Sequence, residues 1–184
     1  HMLTGRKYDV VMPYRMDDAE YAIVGSGCMI ETGEAAVDYI REHMGIKVGL
    51  LHVTCWRPFP SVEIVNALKN VHAMSVIERL DIPMQQSNPL LCEIKAAFAD
   101  AMSGTPGYPD LDHMPRFFGG SAGLGSRDVR AGDFIAMVQN MRADKPRSYF
   151  TLGIKHPLAL EVTNDPDVRT PGSFSMRGHS RSEE

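Results

Sequence analysis

Residues 117–128 read FFGGSAGLGSRD, with glycine at 119, 120, 123 and 125. Glycine lets a chain take positive φ or bring its backbone close to a ligand. Amides at a strand-to-helix turn can hold a phosphate, and an arginine beside them adds a planar fork for the same anion. The spacing completes neither G-x-x-x-x-G-K-S/T nor G-x-G-x-x-G. Two readings therefore stand: an anion loop made by Gly120, Gly123, Gly125, Ser126 and Arg127, or a tight structural crossover. Gly25, Ser26 and Gly27 pose the same choice at an earlier turn. Exposed amides there would receive a carboxylate or phosphate, yet small residues suit any sharp turn from strand to helix.

The stretch TCWRPFPS puts Trp56, Arg57, Pro58 and Phe59 just past an apolar run. Open α/β sheets meet ligands and partners at the carboxyl ends of their strands. Arg57 would hold an anion there or pair with a carboxylate across a domain contact, with Phe59 beside it. Glu78, Arg79 and Asp81 follow the next run and could supply the same kind of pair. Acid–base work by two carboxylates needs a pocket that the pattern does not show. Neither a G-x-S-x-G elbow nor H-E-x-x-H occurs. His52 and Cys55 lie three apart in a strand-like run, which turns them to opposite faces. Cys28, Cys55 and Cys92 form no C-x-x-C pair, so neither a disulfide framework nor a thiolate metal site is indicated. No catalytic residue and no metal ligand is assigned, and a reducing cytoplasm suits the free thiols.

The elements that must carry these turns are legible in the apolar pattern. YAIVGSG, KVGLLHVTCW, AMSVIER, RFFGG and YFTLGI are continuous apolar runs, as strands covered on both faces are. Between them lie helical patterns. Ile30, Gly33, Val37, Ile40 and Met44 form one stripe, closed by Gly45. VEIVNALKN follows Ser61 as a cap, and a third helix opens on Asn88-Pro89. Its stripe of Leu91, Ile94, Phe98 and Ala101 is stopped by Gly104. In a fourth helix Phe134, Met137, Val138 and Met141 face inward. Five alternations of strand and helix predict a three-layer α/β/α sandwich around a mostly parallel five-stranded sheet.

The 184 residues allow one domain with tails. Residues 1–19, with Pro13 in the middle, read as a tag remnant (His1-Met2) and a leading linker. Residues 20–155 read as the domain, and 156–184, rich in turn formers and charge, as an exit linker toward a following domain. A net charge of −4 forces no basic face, so nucleic acid is not an expected partner. No apolar run approaches the ~20 residues that cross a bilayer, so no membrane partner is expected either. Twelve methionines suit gap-filling in a core or an interface.

Four stretches, YAIVGSGCMIETGEAAVDYI, KVGLLHVTCWRPFP, FFGGSAGLGSRD and YFTLGI, together resemble the middle domain of the pyruvate:ferredoxin (flavodoxin) oxidoreductases, within the 2-oxoacid:ferredoxin oxidoreductases. The likeness covers roughly residues 13–154. The strand–GSG–helix start and R-P-F also resemble the C-terminal domain of transketolase, which implies that fold. The resemblance implies a complete enzyme that decarboxylates a 2-oxoacid, pyruvate by the fused domain order, and captures the acyl group on coenzyme A. It also implies thiamine diphosphate, iron–sulfur clusters of the 4Fe–4S type, and ferredoxin or flavodoxin as acceptor. Those cofactors would be held by other domains or subunits of the same oxidoreductase, because neither a G-D-G…N thiamine signature nor a ferredoxin-like cysteine run occurs here. IKHPLALEVTND replaces the acidic segment usual in the family after the last strand, and FSMRGHS resembles the start of the domain that follows.

The reading that results is a structural and assembly domain, inactive alone, with FFGGSAGLGSRD as a crossover at the ligand-facing edge. A stand-alone nucleotide- or coenzyme A-binding module is the competing reading, using the two glycine-rich turns. A transketolase-like dimerisation domain of another thiamine enzyme is a third.

Overall fold

The computed structural model describes residues 9–82, 87–154 and 157–160. The residues read as a tag remnant, the IKHPLALEVTND segment apart from residues 157–160 and Ile154, and FSMRGHS lie outside these residues. In chain order the elements are β1 (Val11–Tyr14), β2 (Tyr21–Gly25), α1 (Met29–Met44), β3 (Val48–Val53), α2 (Ser61–Leu68) and β4 (Ala73–Glu78). They continue with α3 (Pro89–Met102), β5 (Arg116–Ser121), α4 (Ala131–Arg142) and β6 (Tyr149–Thr151). The sheet order is β1-β3-β2-β4-β5-β6, with β2 to β6 parallel and β1 antiparallel to β3. This is the α/β/α sandwich expected, with six strands where five were read.

The additional strand is β1, inside the stretch read as a linker. Its pattern is hidden by Pro13, which an edge strand tolerates because one side of its ladder is open. Thr54 N–H donates to the Val10 carbonyl at 3.1 Å. Alternation along the antiparallel ladder then turns the nitrogen of Pro13, opposite Leu51, away from β3.

Both faces of the sheet are covered, which explains the unbroken apolar strands. Ile30, Val37 and Ile40 of α1 and Phe134, Met137 and Met141 of α4 bury Ile23, Leu50, Ile77, Phe118 and Phe150 on one face. On the other, Ile64 and Leu68 of α2 and Leu91, Ile94 and Phe98 of α3 bury Val24, Leu51, Met74 and Val76. Gly45 takes φ 65° and ends α1, as the stripe predicts. Ser61 does not cap α2, since it is the first helical residue behind Pro60. Its hydroxyl instead accepts a hydrogen bond from the Tyr108 hydroxyl at 2.8 Å.

The crossovers differ in hand. From β2 the chain steps one way to β3 through α1 on one face, then back past β2 to β4 through α2 on the opposite face. The step from β4 to β5 through α3 keeps that hand. The step from β5 to β6 continues in the same direction, but α4 lies on the α1 face. It therefore has the opposite hand to the other three, against the strong preference for one hand. Glycine makes this packing feasible. A Cβ on Gly33 would lie 2.5 Å from Leu50 Cδ1 and 3.0 Å from Phe134 Cε1, and one on Gly120 would lie 2.8 Å from Phe150 Cζ.

Chemical denaturation should show Gly120→Ala losing about 1–3 kcal/mol of stability. The double variant with Phe150→Leu should lose less than the sum of the single losses. Strictly additive losses would show that the Phe150 ring is not what this glycine yields to.

Candidate functional site

Because β2 to β6 are parallel, their carboxyl ends form one edge, and every loop carrying a candidate residue emerges there. Gly25, Ile77 and Gly120 stand in register across β2, β4 and β5. A Cβ at Gly25 would lie 2.5 Å from Ile30 Cδ1 and 3.0 Å from the Ile77 carbonyl oxygen. This glycine is required by packing beneath the first turn of α1. Ser26 is half-buried, and Gly27 is exposed with φ 79°. Arg57 is exposed and donates to Glu93 Oε1 of α3 at 2.6 Å and to the Trp56 carbonyl at 2.7 Å. Its guanidinium also lies 5.8 Å from the Trp56 ring centroid. The carboxylate partner expected for Arg57 thus lies within the chain. Phe59 packs half-buried against the α2–α3 layer.

The glycine-rich stretch runs from the end of β5 across the end of β4. Ala122 N–H donates to the Glu78 carbonyl at 3.0 Å, and Gly123 packs against Arg79. Gly123 and Gly125 are left-handed at φ 68° and 65°, and Ser126 follows at φ 61°. A single 3-10 turn, Leu124–Ser126, spans them. Arg127 is exposed at its end. The loop then feeds α4, where Arg130 N–H donates to Asp133 Oδ2 at 2.8 Å. The loop thus crosses the end of β4 before it turns into α4. The Gly25–Gly27 turn and this loop share an edge, but β4 stands between their strands.

Beside the loop the structure assembles a buried polar group that the sequence pattern does not announce. Glu78 ends β4 at 4 % exposure, and its carboxylate accepts the Leu90 N–H at 3.0 Å and the Leu91 N–H at 3.4 Å. It caps α3 in place of Asn88, whose own side chain turns elsewhere. Asn88 Nδ2 donates to the Leu80 carbonyl at 3.1 Å and to Ser121 Oγ at 3.0 Å. Ser121 meets the Tyr149 hydroxyl at 2.5 Å, and Tyr149 donates to Asp81 Oδ1 at 2.7 Å. Asn88, Ser121, Tyr149 and Asp81 thus form one hydrogen-bonded chain that ties the end of β4, the start of α3, β5 and β6 together.

Burial pushes the Glu78 carboxyl above its ordinary value, and the two backbone N–H groups pull against that rise. The Tyr149 hydroxyl is also raised, first by burial and then by its bond to Asp81. His52 is lowered by burial. Among the described residues no group of three or more His, Cys, Asp or Glu side chains is placed to hold a metal. Cys28 precedes α1, Cys55 follows β3 and Cys92 lies on α3, so these thiols do not fit an iron–sulfur cluster. No described helix is long and apolar enough to cross a membrane.

Glu78→Ala should cost about 1–3 kcal/mol, because two buried N–H groups lose their acceptor. Glu78→Gln keeps a carbonyl acceptor and separates charge from capping. The folded-state pKa of Glu78 is raised, so its protonated form favours folding below the ordinary carboxylate value. That contribution fades as pH rises through the raised value. Urea melts should therefore show wild-type stability falling relative to Glu78→Gln from about pH 4 upward, then levelling. A flat difference would mean that Glu78 titrates as an ordinary exposed carboxylate.

The sequence matches the family described as "Pyruvate:ferredoxin oxidoreductase core domain II" over residues 19–109, from the approach to β2 to the loop after α3. A pyruvate-flavodoxin oxidoreductase of Enterobacter agglomerans is 31% identical over 174 residues, which are 93% of this chain and 14% of that protein. A probable pyruvate-flavodoxin oxidoreductase of Escherichia coli is 33% identical over 174 residues, 94% of this chain and 14% of its own length. The pyruvate:ferredoxin oxidoreductase of Moorella thermoacetica is 30% identical over 181 residues, 95% and 14% respectively. This chain thus spans 14% of the length of each of these three relatives. The glycine-rich loop lies beyond the family match, but alignments that take in over nine-tenths of the chain run through it. On these likenesses the chain belongs to the pyruvate:ferredoxin oxidoreductase core domain II family.

Proposed function

We propose that this chain is a structural and assembly domain of a cytoplasmic, thiamine-dependent 2-oxoacid oxidoreductase. Pyruvate is the 2-oxoacid, coenzyme A receives the acyl group, and ferredoxin or flavodoxin accepts the electrons. Thiamine diphosphate and 4Fe–4S clusters are held by other domains or subunits of that enzyme, since the donor set described here suits neither. When bound, thiamine diphosphate supplies the carbanion chemistry of decarboxylation. The residues of this chain contribute shape: the loops at Gly25–Gly27, Arg57–Phe59 and Gly120–Arg127 meet the neighbouring domains from one edge of a rigid sheet.

One observation carries this reading. Three oxidoreductases align with almost the whole chain, yet the chain accounts for only 14% of each. A unit of that size, with Arg57 held by Glu93 and Gly25 packed beneath α1, fits a scaffold.

With pyruvate, thiamine diphosphate, coenzyme A and a viologen acceptor, the isolated chain should reduce no viologen; reduction above the protein-free rate would overturn the proposal. In a second arm, residues 9–160 would replace the corresponding segment of the Enterobacter agglomerans relative. The graft should yield an assembled enzyme that turns over pyruvate, and one that folds but does not assemble would also count against the proposal.

A further inference from the structure

We infer that the turn over the end of β4 is an anion site of its own, made by Arg79, Arg127 and the amides of residues 123–127, and that it takes a phosphate group. The inference goes beyond the scaffold reading and does not depend on which enzyme the domain serves.

Three observations bear on this turn. The backbone at Gly123, Gly125 and Ser126 is left-handed at φ 68°, 65° and 61°, with Leu124 between them in the 3-10 turn. Successive backbone N–H groups in a turn conformation make a concavity suited to an anion. Second, Arg79 lies on this turn. A Cβ at Gly123 would be 2.7 Å from Arg79 Nε and 3.1 Å from Arg79 Cζ, so the absent side chain is what admits the guanidinium.

The third observation is charge without a counter-charge. Arg15, Arg41 and Arg57 each pair with a carboxylate, and Arg147 donates to the carbonyls of Pro157 and Ala159. Arg79 and Arg127 have neither kind of partner among the described residues, although both stand at the ligand-facing edge. An arginine fork beside the amides of such a turn matches the charge and donor geometry that a phosphate takes. A carboxylate fills fewer of those donors. Glycine at 123 is needed twice, for its positive φ and for the room that Arg79 takes, whereas a turn with only a structural task needs it once.

The test is a titration of the isotope-labelled chain with inorganic phosphate, then pyrophosphate, at constant ionic strength, read by the backbone amide resonances of residues 122–128. Saturable shifts confined to that loop are expected at millimolar phosphate. Arg79→Gln should weaken the affinity at least fivefold, with Arg127→Gln weakening it less. Arg142→Gln, on an exposed arginine remote from the loop, should leave it unchanged. Gly123→Ala keeps both charges but crowds Arg79, so it should weaken binding as Arg79→Gln does if the variant still shows a folded spectrum. Shifts that stay linear to high concentration, spread over the surface, or match those produced by chloride would overturn the site. Equal affinity in Arg79→Gln and wild type would overturn it as well.

Discussion

Between β5 and β6 the chain has to place α4 against α1, on the face opposite α3, and still return on the far side of β5. That single demand sets the course of everything at the carboxyl edge. The outgoing loop passes over the end of β4, and the segment after α4 leads back to the start of β6. Asn140 ties the return: its Nδ2 donates to the Arg147 carbonyl and its Oδ1 accepts the Arg147 N–H, both at 2.9 Å. The outward path is held by the Ala122 bond to the Glu78 carbonyl. In doubly wound sheets the place where the strand order reverses is normally the open crevice that receives a ligand. Here it falls between β2 and β4, and the chain's own loop runs across the β4 end of it.

The buried polar chain is a consequence of that path. A loop laid over a strand end brings side chains out of water, and each must find a partner because an unpaired buried polar group costs about 1–3 kcal/mol. Glu78 satisfies the first amides of α3, Asn88 fills the space between Leu80 and Ser121, and Tyr149 reaches back to Asp81. Glu78, Asn88 and Ser121 are buried, and Tyr149 carries the chain of bonds out to the exposed Asp81. The ends of β4, β5 and β6 and the start of α3 are therefore held together by the same network.

Much of this fold could be read from apolar period alone. The stripes of α1, α3 and α4 pick out inward residues, since Ile40, Ile94, Phe98, Phe134 and Met137 are all fully buried, but Met44 at the end of the α1 stripe is exposed. Short-range punctuation is also sound at Gly45, which ends α1, and at Pro89, which opens α3. The pattern failed where a tertiary contact decides the matter. Nothing local distinguishes β1 from a linker, because its partner β3 lies some forty residues on and Pro13 masks the alternation. Nothing local tells that Glu78, rather than Asn88, caps α3. Ser121 and Tyr149 meet across 28 residues, and Arg79 rests on a glycine far along the chain. For the edge site the residue types were visible and the pairings were not: Arg57 looked like a hand extended outward, and Glu93 holds it at home.

The outermost strands set a limit on the sheet itself. On the β1 side the amide missing at Pro13 falls on the open edge, so a would-be seventh strand would lack one of its rungs there. On the β6 side Thr151 is already bridged by residues 158–160, with Arg147 clasping their carbonyls. Neither margin offers a clean template on which a foreign chain could crystallise into fibre-like order. Among the described residues, then, both margins of the sheet are blunted, one by a missing donor and the other by a strap of its own chain.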